Sequence, residues 1–118
     1  MHTLMRTAFL LTLSALLFAC SDESGNWPQL KFEESTWSAT KETERFVFVR
    51  ALIEDERLLG LPKNEVIRML GKPSYDGTDA RYQTYIVKAD SGHLYLLDIR
   101  YSSDASPPVV NRVFVRPD

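Results

Sequence analysis

At 118 residues the chain has the length of one small domain with a single core. Its formal net charge of −2 argues against nucleic-acid binding, which needs a basic surface, and its 44% apolar content is ordinary for a globular protein. Cys20 is the only cysteine, so no intrachain disulfide can form.

The N-terminus reads as a targeting segment. Arg6 supplies a positive n-region, and residues 7–18 form an apolar run of signal-peptide length. As a helix this run reaches about 18 Å, short of the ~30 Å hydrocarbon core, so a permanent span is the weaker reading. It ends in Leu17-Phe18-Ala19-Cys20, which resembles the lipobox of bacterial lipoproteins. That resemblance implies a signal peptide over 1–19, a diacylated Cys20 as the new N-terminus, and anchoring to a membrane through the acyl chains. Ser21 in place of Asp favours the outer membrane.

Residues 20–37 are polar, carry Gly25 and Pro28, and read as the acylated end and a tether. Trp27, Leu30, Phe32 and Trp37 interrupt it; they either pack back on the domain or form an adhesive segment for a partner. The folded domain is expected over 38–118. Residues 38–58 read as one long helix, with Ser38 or Thr40 as N-cap and Phe46, Val49, Leu52 and Ile53 as its buried stripe. The Phe46-Val47-Phe48-Val49 run also suits a strand, but the flanking helix formers decide for helix.

The chain is organised around residues 61–74, LPKNEVIRMLGKPS. Pro62 suits a helix start, Glu65 suits the positive end of the helix dipole, and Val66, Met69 and Leu70 share a face. Gly71 and Pro73 end the helix. A helix of about two turns is unstable alone in water and must dock on something. The short connection through Gly60 predicts a helical hairpin with the preceding helix. Residues 75–81 then read as a turn, with Asp76-Gly77 as the signal.

Three strands follow. Residues 82–88 alternate, with Tyr82, Thr84, Ile86 and Lys88 opposed to Gln83, Tyr85 and Val87. Residues 89–92 make a hairpin loop. In 94–101 the apolar set Tyr95, Leu97, Ile99 and Tyr101 should face the helices, leaving Leu94, Leu96, Asp98 and Arg100 outside. In 109–116, Val113 and Val115 should point inward, with Val110, Arg112, Phe114 and Arg116 on the other side. The expected fold is α+β in two layers, a helical hairpin on a three-stranded antiparallel sheet, ααβββ.

This order of elements, with Gly60, Leu61, Glu65, Val66, Leu70, Gly71 and Pro73 at the motif positions, resembles the SmpA/OmlA family of small outer-membrane lipoproteins, the BamE-like family. Pro62 stands where that family usually has a helix-capping Thr. The resemblance implies a lipid-anchored module on the periplasmic face of the outer membrane. Such a module acts as a non-catalytic scaffold in outer-membrane protein assembly or envelope integrity, with an envelope protein as partner. A related fold serves proteinaceous β-lactamase inhibitors, so inhibition or regulation of a periplasmic enzyme is the alternative.

The residues present no catalytic set. His2 leaves with the signal, His93 lacks a second metal ligand at suitable spacing, and no Gly-x-Ser-x-Gly elbow or phosphate-cradling loop occurs. Asp76, Asp79 and Asp90 lack the EF-hand spacing and suit turns. No enzyme activity, cofactor, metal or small-molecule substrate is therefore expected. Partner binding is expected through Tyr75, Tyr82, Tyr85 and Arg100, because Tyr and Arg are enriched at binding hot spots. The competing reading makes those tyrosines core residues.

Overall fold

The alternating stretches of the C-terminal half pair into one antiparallel sheet in the computed structural model, which describes residues 23–77 and 81–118. The apolar targeting run, Cys20, Ser21 and Asp79 lie outside the described residues. The strands are β1 (Tyr75–Asp76), β2 (Tyr82–Asp90), β3 (His93–Tyr101) and β4 (Val110–Pro117), each beside its sequence neighbour. The sheet thus has four strands and not three. The additional one, β1, lies in the stretch expected to be a turn, with Tyr75 opposite Thr84 and Asp76 opposite Gln83. A strand of two residues has no period, so alternation cannot reveal it. Between β2 and β3, Ser91 and Gly92 have φ of 51° and 83°. Left-handed values at both central residues make the type I′ turn, whose twist matches that of the flanking strands.

The helices among the described residues are α1 (Glu34–Ala39), α2 (Phe46–Glu54) and α3 (Lys63–Leu70). The single helix expected over 38–58 is broken. Thr40 leaves α1 in extended backbone, and its hydroxyl donates back to the Thr36 carbonyl at 2.6 Å. Such local bonding by Thr competes with helix continuation. A 3₁₀ turn, Glu42–Glu44, leads into α2. At the other end Glu56 adopts φ 53°; its N–H donates to Ile53 O, and the N–H of Arg57 donates to Leu52 O. These two bonds form the Schellman closure, here made without glycine.

Pro62 lies just ahead of α3 in extended backbone, and Gly71 ends it at φ 83° and ψ −169°, a region open essentially to glycine alone. The expected helical hairpin is replaced by another arrangement: α3 packs on α1, and the connection before it joins the sheet. Gly60 N–H donates to Val110 O and Val110 N–H donates to Leu61 O, so β4 holds this connection.

The described helices lie on one face of the sheet, and the core forms between the layers. Tyr85, Val87, Leu97, Ile99 and Val115 from the sheet meet Val49, Leu52, Val66, Met69 and Leu70 from the helices. Trp27, Phe32 and Trp37 belong to this same core. The boundary expected at residue 38 is therefore too late: much of the supposed tether is domain. Leu30 N–H donates to Val47 O at 3.0 Å and fixes the segment along α2.

Two irregularities in strand register change which side chains face the helices. One lies between Ile86 and Lys88, the other between Arg100 and Tyr101. The first turns Lys88 from the outer face, where alternation put it, to the helical side. There its ammonium lies 5.0 Å from the Phe46 ring, 5.5 Å from Tyr95 and 5.6 Å from Trp27. The second brings Val110 opposite Tyr101 and into the core, while Val113 and Val115 point inward as expected.

Candidate functional site: the outer face of the sheet

Successive residues of a strand point to opposite faces, and directly opposed residues share one. Since Gln83, Tyr85, Leu97, Ile99, Val113 and Val115 face the helices, their neighbours form the outer face. The pairing sets them in rows. Tyr82, Arg100 and Arg112 lie in one row, with Tyr75, Thr84, Asp98 and Phe114 in the next. Ile86, Leu96 and Arg116 form a third. No described helix packs on this face.

At its centre Asp98 is fully buried. Thr84 Oγ1 donates to Oδ1 at 2.8 Å; Arg116 Nε and Arg100 Nη2 donate to Oδ2 at 2.8 and 3.1 Å. Burial by itself pushes the carboxyl up, but the hydrogen bonds from Arg116, Thr84 and Arg100 and the charge of Arg116 outweigh it. The carboxyl is held below the ordinary range and stays ionised. The guanidinium groups are ordered by rings as well. Arg100 lies 5.0 Å from the Tyr82 centroid and 5.6 Å from Phe114, and Arg112 lies 4.3 Å from Phe114. Tyr75 stands at the edge of the face, 54% exposed.

Three of the four expected contact residues, Tyr75, Tyr82 and Arg100, come together on this face. Tyr85 does not. It is 1% exposed on the inner face, and its hydroxyl donates to Gly71 O at 2.7 Å. Burial, then the neighbouring Tyr101, pushes its phenol far above the usual range. Tyr85 is a core residue and leaves the contact set. Asp98, Arg112, Phe114 and Arg116 join it. Their signal was present in the alternation of β4, which puts Arg112, Phe114 and Arg116 on one side; what alternation lacks is the register that centres them on Asp98.

A groove of about 240 Å³ lies between the end of α2 and the start of β4. Leu52, Ile53, Leu58, Leu59 and Val113 line it, together with Glu56, Asn111 and Arg112. Its lining is mostly apolar. His93 is exposed at the β2–β3 turn, and among the described residues no group of three or more His, Cys, Asp or Glu is placed to hold a metal ion. Compared with protein-family models, curated proteins and solved structures, the chain finds no match.

Proposed function

We propose that the protein is a lipid-anchored interaction module of the outer membrane, facing the periplasm, that binds another envelope protein through the outer face of its sheet and carries out no chemistry of its own. Its role is that of a scaffold in outer-membrane protein assembly or envelope integrity. The carrying observation is the composition of that face: Tyr75, Tyr82, Phe114 and three guanidinium groups around a buried carboxylate, with no described element over them. Tyr and Arg on a pre-ordered, well-packed surface are the makings of a binding hot spot. The lipobox-like Leu17-Phe18-Ala19-Cys20 and the resemblance to the SmpA/OmlA lipoproteins support the anchoring and the envelope setting.

The test is photo-cross-linking in intact cells from a benzoylphenylalanine at position 75, with fatty-acid labelling of the same chain. The expected result is an adduct with an envelope assembly protein, lost in Tyr82→Ala and Arg100→Ala, and a label that Cys20→Ser abolishes. An adduct with a soluble periplasmic enzyme, whose activity it lowers, would replace the scaffold by the inhibitor reading. Turnover of a substrate by the purified chain would overturn the non-catalytic assignment.

A further inference from the structure

We infer that the outer face recognises an acidic segment of its protein partner, whose carboxylates seat across Arg100 and Arg112; this rests on the binding role proposed above. The first observation is a pairing that folding alone disfavours. Arg100 and Arg112 are direct cross-strand partners. Like charges placed directly opposite destabilise a sheet. The nearby acid relieves the pair only in part: Asp98 bonds Thr84 through Oδ1 and Arg100 and Arg116 through Oδ2, and it does not bond Arg112. Among the described residues no carboxylate lies within ion-pair distance of Arg112.

The face therefore carries an excess of positive charge on a chain whose formal net charge is −2. Asp98 is fully buried, so it neutralises from beneath and presents nothing to a partner.

The second observation is how the guanidiniums are held. Arg112 and Arg100 lie against Phe114 and Tyr82. A guanidinium that stacks on a ring does so through its flat face and keeps its in-plane N–H donors for other groups. Arg100 uses one N–H on Asp98. The remaining donors match the two oxygens of a carboxylate. Ordering these long side chains in advance removes part of the entropy cost of binding.

The rings decide for a protein over a membrane surface. Attraction to anionic lipid rests on clusters of about four to eight exposed cations. This face has three, one acid beneath them, and Tyr75, Tyr82 and Phe114 interleaved, as a protein interface does.

The experiment titrates the full-length, nitrogen-15-labelled chain in nonionic micelles with a synthetic peptide of alternating Glu and Val. Its Gln/Val counterpart and phosphatidylglycerol vesicles are the comparisons. The expected result is binding of the Glu peptide, with amide shifts confined to Tyr82, Arg100, Arg112 and Phe114, and at least about tenfold weaker binding of the Gln peptide. Arg112→Gln weakens the Glu peptide by a similar factor, and Arg112→Lys, which keeps the charge without the fork, falls between; an unaltered amide spectrum elsewhere shows that both variants fold. Equal binding of both peptides, shifts on another surface, or a response to the vesicles alone would overturn the inference. If Arg100→Gln and Arg112→Gln keep the cross-linked partner while Tyr82→Ala loses it, the binding role stands and the acidic partner falls. If the Glu peptide binds as described but position 75 cross-links no envelope protein, the acidic preference stands and the cellular role falls.

Discussion

Asp98 shows how one buried carboxylate can organise a surface. Leaving it charged at the centre of the face is tolerable because three donors surround it. Its lowered pKa sets the sign of a pH effect. A carboxyl held below its unfolded value contributes stability that is full above about pH 4 and is lost as pH falls through the folded pKa. Asp98→Asn should therefore lower the urea midpoint at neutral pH, and the gap from wild type should close progressively below about pH 4. A gap that is constant across that range would mean that the charge contributes nothing. Lys88 teaches a complementary point about reading sequence. Strict alternation places it outside with Ile86, and only the irregularity after Ile86 brings it among Trp27, Phe46 and Tyr95. One extra residue in a strand leaves no mark in composition, yet it turns a surface cation into a bridge between sheet and N-terminal segment.

Among the elements, α3 depends most on its neighbours. The last carbonyls of a helix lack intrahelical partners. Here Trp37 Nε1 donates to Leu70 O at 2.9 Å and Tyr85 donates to Gly71 O at 2.7 Å. The end of α3 is thus closed by one side chain from α1 and one from β2. Trp37→Phe keeps most of the packing but strands a buried acceptor, and should cost about 1–3 kcal/mol. Leu70→Ala, at 1% exposure, should cost about 2–5 kcal/mol. Urea denaturation of the two variants checks both figures, and an unchanged midpoint for either would show that α3 is not held in this way. The helix itself was legible because Pro62, Glu65, Gly71 and Pro73 are local signals and Val66, Met69 and Leu70 keep the helical period. Its partner was not. A helix expected to run to residue 58 and a short connection through Gly60 suggest a hairpin, whereas α3 packs on α1, because Gly60 and Leu61 bond to Val110 in a strand some 50 residues away. Contacts between distant segments have no local pattern to read, and the break after Ala39 likewise follows from the burial of Trp37 and the bonding of Thr40.

At the scale of the molecule, the N-terminal segment is a third structural component. Trp27 meets Phe46 and Tyr95 edge-on, each with centroids 5.7 Å apart, and so ties α2 to the sheet. Trp27→Ala removes a large, 8% exposed side chain and should cost up to about 3–5 kcal/mol. Hydrogen exchange should then rise first in residues 24–32. Exchange that stays slow there while stability is unchanged would show that the segment is held elsewhere.

Because the chain is fastened down from Trp27 onward, little of it remains to act as a leash. From Cys20 to Trp27 there are seven steps along the backbone. Even drawn out fully they span no more than about 25 Å. In the acylated form proposed here, the body of the protein therefore rides close to the lipid headgroups and cannot sweep the depth of the periplasm. Its search becomes nearly two-dimensional, and local concentration within that thin layer substitutes for intrinsic affinity. A partner must bring its acidic segment down to the membrane, so weak contacts suffice for proteins that already dwell there, while those diffusing freely above it are passed over.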